Sequence, residues 1–290
     1  VPRECLYMKL LDSDIKTKEI LEWKGIHLLN YQFSACSMKT RIYLNLKNIP
    51  FKSHQINLSA GENFSQWFQG INPRSLVPVL IHDGDVHIES NDILQYLEGC
   101  FENNPLIPAD KKMKVSELLS FEDNLHIDIR NITFRFMVPK LLNKGKKAKP
   151  KSNDKATLNG EVDPLDDVNR NFWKEYEEFG IKDEDVTESL SKMNSALKNI
   201  DSILNGNEYI LGSNLSVIDI AWFIYVTRIQ HANYPLQERH PNVYEWYKRL
   251  YKNKKFKDEV QIPLIMKLVI NLYALFLKIK GRGITNFLPQ

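Results

Sequence analysis

Residues 26–41 constrain the fold more than any other stretch of the chain. Ile26-His27-Leu28-Leu29 is a short apolar run, and Tyr31-Gln32-Phe33-Ser34-Ala35-Cys36-Ser37-Met38-Lys39-Thr40-Arg41 follows it directly. An apolar run of that length has the pattern of a buried strand, and the segment after it has helical spacing through Leu46. A helix that starts at a strand's end places its first side chains beside unpaired N–H groups. There the dipole favours an anion. Small hydroxyl and thiol groups, Ser34, Cys36 and Ser37, occupy that turn.

The segments that follow extend this α/β pattern. Residues 51–58 alternate as a second strand, and 64–70 form a short helix stopped by Asn72-Pro73. Residues 79–81 and 86–88 pair across Asp83-Gly84, a dipeptide suited to the positive dihedrals of a tight hairpin turn. Residues 89–101 then read as a helix. The order β-α-β-α-β-β-α is that of a thioredoxin-like domain. Everything after a linker containing Pro105 and Pro108 reads as helical, with an interrupted apolar pattern at 115–142 and a cleaner one at 186–204. Ser216-Val217-Ile218-Asp219 has the spacing of a capping box at the start of a further helix.

The expected organisation is therefore an α/β N-terminal thioredoxin-like domain followed by an all-α C-terminal domain. Residues 1–25 form an N-terminal extension with a helical turn near 17–23. The thioredoxin-like domain covers 26–103, a linker 104–112 and the helical domain 113–261. A charged insertion interrupts the helical domain at about 140–185, and an apolar tail occupies 262–290. In the insertion, Lys140, Lys144, Lys146, Lys147, Lys149, Lys151 and Lys155 precede Glu161, Asp163, Asp166, Asp167 and an acidic run at 175–185. Such composition predicts a solvated loop, with a phosphate- or lipid-facing patch as the alternative.

The net charge of +3 over 290 residues gives no general affinity for polyanions, so no nucleic-acid partner is expected. Cys5, Cys36 and Cys100 have no metal spacing and cannot pair completely, which suits a reducing compartment. The first residues lack the basic-then-apolar layout of a secretory signal, and a cytoplasmic location is expected. His82 and His87 flank the hairpin turn without further ligands at matching spacing, so no metal site is expected.

Three segments in this order carry a resemblance. They are 31–41, Asn72-Pro73-Arg74-Ser75-Leu76-Val77-Pro78-Val79-Leu80, and Glu89-Ser90 with the helix after it. Together they resemble the glutathione-binding half of the cytosolic glutathione transferases, and Ser216-x-x-Asp219 resembles the start of that family's core C-terminal helix. The resemblance implies glutathione as co-substrate, a homodimer and a transferase activity of the detoxification type. Ser34-Ala35-Cys36-Ser37 before Lys39-Thr40-Arg41 is similar to the serine-type motif of the zeta class.

By that likeness Ser34 is the residue that activates the glutathione thiol. Tyr31 is a competitor that stands slightly early in the chain. Cys36 occupies a position neighbouring the thiol rather than that of a thiol-transfer nucleophile. Pro78 matches the family's cis-proline, which turns the backbone of Val77 towards the cysteinyl part of glutathione. Glu89 would meet the γ-glutamyl ammonium, and Ser90 would cap a helix and bind the carboxylate. Leu76 replaces a polar residue common in the family. The glycine end then falls to His54 or Gln66.

For the second substrate, an electrophile between the domains, the candidates are Asn124, Asn131, Arg135, Trp222, Tyr225 and Arg228. A zeta-type isomerase and a glutathione-dependent ether-cleaving enzyme both fit. The arginine that zeta isomerases use for an acidic substrate would fall near His231, although Arg228 lies one turn away. The insertion resembles that of the bacterial β-etherases. The insertion and tail together are similar to those of the ganglioside-induced differentiation-associated proteins.

Residues 262–279 are apolar except for Lys267, Asn271 and Lys278, and the uncharged run is too short for a comfortable span of about 20 residues. A helix packed on the domain or across the dimer is expected, with peripheral membrane contact as the alternative. A non-catalytic, transferase-like binding protein at a membrane or partner is the competing reading of the whole chain.

Overall fold

The computed structural model describes residues 8–140, 157–158 and 160–289, and divides into two compact units. One comprises Val1–Asn104 with Gly145–Lys174; the other comprises Pro105–Lys144 with Glu175–Gln290. Cys5 and six of the insertion's lysines, Lys144 to Lys155, lie outside the described residues.

The first unit is built on a mixed four-stranded sheet. Its strands are β1 (Ile26–Asn30), β2 (Lys52–Gln55), β3 (Val79–His82) and β4 (Asp85–His87), in the order β2-β1-β3-β4. β1 is buried along its whole length, buried His27 and Asn30 included, which is why it does not alternate between apolar and polar residues. β2 pairs with it in parallel and β3 antiparallel, and β4 closes the hairpin. Helices α1 (Ala35–Leu46), α2 (Gln66–Gln69) and α3 (Ser90–Cys100) complete the thioredoxin-like order. β2 is shorter than the alternation suggested.

At the β3–β4 turn, Asp83 and Gly84 both have positive φ, 53° and 94°. A Cβ on Gly84 would lie 2.2 Å from the carbonyl oxygen of Leu21, so only glycine admits the lead-in chain here. Asp83 fastens the same crossing, accepting a 2.8 Å hydrogen bond from Gly25 N.

The lead-in is integral to this unit rather than an appendage. Met8–Leu10 runs beside β4: Leu10 N donates to Val86 O and Ile88 N donates to Met8 O. Leu10, Ile15 and Ile20 join Leu29, Phe68, Val77, Val79, Val86 and Ile88 in one core cluster. The polar composition of residues 1–25 hid these three anchors, whose burial covers a sheet edge that would otherwise be open. Lys18–Glu22 forms a 3₁₀ turn where a helical turn was expected.

The second unit is helical. α4 (Lys112–Asn124) and α5 (His126–Phe136) replace one expected long helix, with the break at Leu125. Between them and α7 (Asp183–Leu204) lie a two-stranded hairpin, β5 (Thr157–Leu158) and β6 (Glu161–Val162), and α6 (Pro164–Phe179). The hairpin and the start of α6 group with the first unit. The described part of the insertion is therefore not simply solvated. Leu158 packs on the first unit's core cluster, and Asp163 is 3% exposed.

α8 (Val217–His231) is the central helix and is buried from Val217 through Thr227. It starts as the capping box predicts: Ser216 N and Oγ donate to Asp219 Oδ2 at 3.0 and 2.7 Å. α9 (Leu236–Arg239), α10 (Pro241–Lys252), α11 (Lys254–Val260) and α12 (Leu264–Ile279) follow. α12 buries Ile270 and Leu277 but leaves Leu264, Ile265, Leu268, Leu272, Leu275, Phe276 and Ile279 more than half exposed.

Candidate functional site

The sheet register brings the expected site residues to one edge. β2 runs parallel to β1, pairing Leu29 with His54, so both strands end on the same side. β3 is antiparallel, pairing Leu29 with Val79, and therefore begins on that side. β4 is antiparallel to β3 and ends there too. Ser34, the segment after β2, Val77-Pro78 and Glu89-Ser90 consequently leave or enter the sheet at the same edge. The N-termini of α1 and α3 both open there, so the positive ends of two helix dipoles converge on it.

Ser34 is half-buried and is the N-cap of α1. Its Oγ accepts from Ser37 N at 3.3 Å, which holds the oxygen in place and leaves its O–H available to donate elsewhere. The turn bearing Ser34 is tied down from below. Buried Ser37 accepts from Tyr31 N at 3.3 Å. Arg41, also buried, donates to Asn30 Oδ1 at 2.8 Å, to Tyr31 O at 3.3 Å and to Gln32 O at 3.1 Å. Arg41 is thus the residue that shapes the loop, a role its place in the motif did not disclose. Tyr31 turns its hydroxyl to Ser59 Oγ at 2.9 Å and its ring edge to Phe33, an arrangement of packing. Cys36 is half-buried in the first turn of α1.

The Val77–Pro78 bond is cis, as the resemblance implied, and Val77 is buried. Glu89, not Ser90, stands at the N-cap of α3, with φ of 63°, and Ser90 is the first helical residue, buried. Ser90 therefore does not cap the helix as expected, because the positive-φ turn at Glu89 starts the helix at Ser90, one residue earlier than a Ser90 cap would. Lys39 ties the two helices together by donating to Asn91 Oδ1 at 2.8 Å.

His54 and Gln66 are not brought together. His54 lines a pocket of about 380 Å³ with Gln55, Ile56, Glu62, Ser65 and Trp67, while exposed Gln66 lies outside that lining, as do Ser34, Val77 and Glu89. His54 also stacks on Trp23 and contacts His27 Nδ1 at 3.0 Å. Burial, then the neighbouring His27 and Lys52, hold its pKa below the ordinary imidazole value, so it is neutral at pH 7.

Sequence reasoning missed one cluster at this edge. Arg74 donates from Nε and Nη2 to Asp163 at 2.7 and 2.9 Å, and from Nη1 to Glu89 Oε1. Burial works against the Arg74 charge, but the hydrogen bonds and charges of Asp163 and Glu89 outweigh it and raise the pKa above the arginine norm. The signal was half present: Arg74 stood inside a quoted motif, but Asp163 was one acid among many.

In the second unit, Asn131 donates to Ser189 Oγ at 3.0 Å. Arg135 donates to Ile181 O and Asp183 and lies over the Phe287 ring. Both are thereby engaged in packing helices. Tyr225, 2% exposed, meets His126 Nδ1 at 3.3 Å, and Trp222 is buried against it. Asn124 is exposed and Arg228 half-buried. His231 has its pKa pushed down to about 4, chiefly by burial and then by Arg228 and Lys267. Among the described residues no group of three or more His, Cys, Asp or Glu is placed to hold a metal ion.

A thioredoxin-like unit with a cis-proline edge, joined to an all-helical unit, defines the fold of the cytosolic glutathione transferases. The family comparisons agree segment by segment. The model for the glutathione S-transferase N-terminal domain matches residues 33–100, and that for the C-terminal domain matches 164–258. The chain belongs to the glutathione S-transferase family.

Among relatives, a zeta-class glutathione S-transferase of Euphorbia esula is 41% identical over 85 residues, 29% of this chain and 38% of that protein. The chain thus spans well under half the length of that relative. The tetrachloro-p-hydroquinone reductive dehalogenase of Sphingobium chlorophenolicum is 26% identical over 82% of this chain and 96% of its own. Among solved structures, the β-etherase LigF of Sphingobium sp. strain SYK-6 superimposes with a TM-score of 0.66. It is 23% identical, over 81% of this chain and 98% of that one.

Proposed function

We propose that this chain is a serine-type glutathione transferase that activates the glutathione thiol with Ser34 for attack on an electrophilic carbon. The observation that carries this reading is the convergence of Ser34, the cis Val77–Pro78 turn and Glu89-Ser90 on one sheet edge beneath two helix N-termini. A free thiol with a pKa of about 8.5 is only a few per cent ionised at pH 7. Lowering that pKa by about two units takes roughly 3 kcal/mol. One hydrogen bond to a charged group contributes about 1.5–3 kcal/mol. A helix N-terminus adds about 0.3–1 kcal/mol. Ser34 O–H and the start of α1 together suffice. In this reading Val77 presents its backbone to the cysteinyl part, Ser90 binds the γ-glutamyl carboxylate and Glu89 its ammonium. Cys36 lies beside the thiol, and His54 or Gln66 receives the glycine end.

Displacement of a leaving group is favoured over isomerisation. In sequence, the dehalogenase and the LigF protein match over 96% and 92% of their lengths, whereas the zeta-class match covers 38% of that protein; a zeta-class maleylpyruvate isomerase shares the fold over 95% of its length. His231, neutral at pH 7, is also poorly suited to replace the arginine that binds an acidic isomerase substrate. Asn124, exposed, and Arg228, half-buried, are the proposed electrophile contacts, and Asn131, Arg135 and Tyr225 make hydrogen bonds within the helical unit. A cytoplasmic homodimer acting in detoxification is the accompanying assignment, supported by the family.

Calorimetric titration with reduced glutathione and S-methylglutathione tests the site. Binding of both, with a Ser34→Ala change that raises the bound thiol's pKa by about one unit or more, is the expected result. A Ser34→Ala protein with unaltered thiol pKa removes Ser34 from the mechanism.

The exposed face of α12 supports peripheral contact with an anionic membrane. Lys267, Lys278, Lys280 and Arg282 border it, and residues 261–290 include no acid. Among the described residues no single helix is long and apolar enough to span a bilayer, though α11 and α12 together, bent by 65°, pass by length and composition. Co-sedimentation with phosphatidylserine vesicles should be lost in an Ile265→Glu/Leu272→Glu variant. Equal sedimentation of both proteins would refute the contact.

A further inference from the structure

The cluster that joins the insertion to the sheet edge has an electrostatic role beyond holding the chain together. Arg74 is buried and shared between two carboxylates. Asp163 takes it by the two-pronged geometry that arginine and carboxylate make best, through Nε and Nη2. Glu89 receives only Nη1, through Oε1, and its side chain remains 35% exposed while those of Arg74 and Asp163 are 4% and 1% exposed. Asp163 is itself held by its own helix, since Oδ1 also accepts from Leu165 N at 3.2 Å at the start of α6. Leu158, at the end of β5, packs on the core cluster that contains Val77.

The charge count gives this arrangement its meaning. A lone Arg74–Glu89 pair is neutral and would offer an approaching ammonium little attraction. With Asp163 the three side chains sum to −1, and the excess resides on the exposed member, Glu89. Because Asp163 occupies both other donating nitrogens of the guanidinium, Arg74 orients Glu89 without cancelling it. We propose that Asp163, contributed by the insertion, is a positioning residue for glutathione. It supplies the counter-charge to Arg74 that lets Glu89 bind the γ-glutamyl ammonium. This rests on the reading of Glu89 given above and assigns the insertion a part in the glutathione site.

Binding of two ligands by the unmodified protein and four variants tests it: reduced glutathione and its analogue lacking the α-amino group, glutaryl-cysteinylglycine. In Asp163→Asn, glutathione affinity should fall about ten-fold, as expected for losing one nearby charge in a partly buried site, while the analogue changes less than about two-fold. Adding Arg74→Gln to Asp163→Asn removes the unbalanced cation and leaves Glu89 as the net charge. Glutathione affinity should then recover to within about three-fold of the unmodified protein. This double variant has no unpaired buried cation, so it serves where Asp163→Asn alone does not fold. In Glu89→Gln, adding Asp163→Asn should have no further effect on glutathione.

Equal weakening of both ligands, or a double variant no better than Asp163→Asn, overturns the proposal in favour of a purely structural link. Glutathione bound by the unmodified protein but indifferent to Asp163→Asn overturns it while sparing the site. Failure of the unmodified protein to bind glutathione overturns both.

Discussion

Asp219 and Asp163 are both buried acids, one at the heart of the helical unit and the other on the insertion. Asp219 finds its partners close by in sequence. Ser216 N and Oγ stand three residues away and Ile210 N nine, with the Trp246 indole N–H completing the set at 3.0 Å. Asp163 finds its partner 89 residues away, in another segment of the fold. The first acid satisfies a helix start and neighbouring donors. The second neutralises a buried cation at the sheet edge. A local device stabilises the element it belongs to, whereas a long-range one couples two elements and so can change function with less change in stability.

The comparison can be broken most sharply at Asp219. Replacing it with alanine strands four donors, two of them backbone N–H groups, and should cost about 4 kcal/mol, read by denaturant unfolding.

A buried group with no partner supplies the intermediate case. Among the described residues neither ring nitrogen of His87 has a hydrogen-bond partner, and the ring stacks on Tyr96 at 3.7 Å. Burial is the main cause that lowers its pKa to about 4. The folded state therefore binds the proton less well than the unfolded chain, whose imidazole titrates near 6.5. The neutral ring is fully tolerated above that pH, and stability is lost as pH falls from about 6.5 to 4, by about 3 kcal/mol in all. Unfolding curves at pH 7 and 4.5 should show this loss, and a His87→Phe variant should lack that part of it.

The smallest expected effect is at Asp163. Its replacement by alanine leaves Arg74 with Glu89 still in place and should cost about 2 kcal/mol. A cost equal to that at Asp219 would erase the distinction and make Asp163 primarily structural.

The strand–turn–helix at 26–46, the Asp83-Gly84 hairpin and the Ser216 capping box were legible because each is settled within about a dozen neighbouring residues. Apolar runs, turn dihedrals and cap hydrogen bonds are local quantities. The resemblance then ordered these elements into a known fold. What stayed hidden had long-range causes. Leu10, Ile15 and Ile20 sat in a polar-looking lead-in, and their burial depends on an edge of β4 some 70 residues away. The break at Leu125 turned one expected helix into α4 and α5. Glu89 took the cap position expected of Ser90 through a left-handed backbone turn that an acidic residue does not announce.

By itself, then, the sequence determined the two-part architecture, the family and the residues that reach the sheet edge, because periodicity, turn chemistry and motif spacing act over short stretches of chain. Only the tertiary structure decided which of many acids would be buried, that a charged insertion would return to the sheet, and that Arg74 would be divided between Asp163 and Glu89. A charge in a low-dielectric interior is governed by whatever lies within a few ångströms of it, and sequence distance carries no information about that neighbourhood.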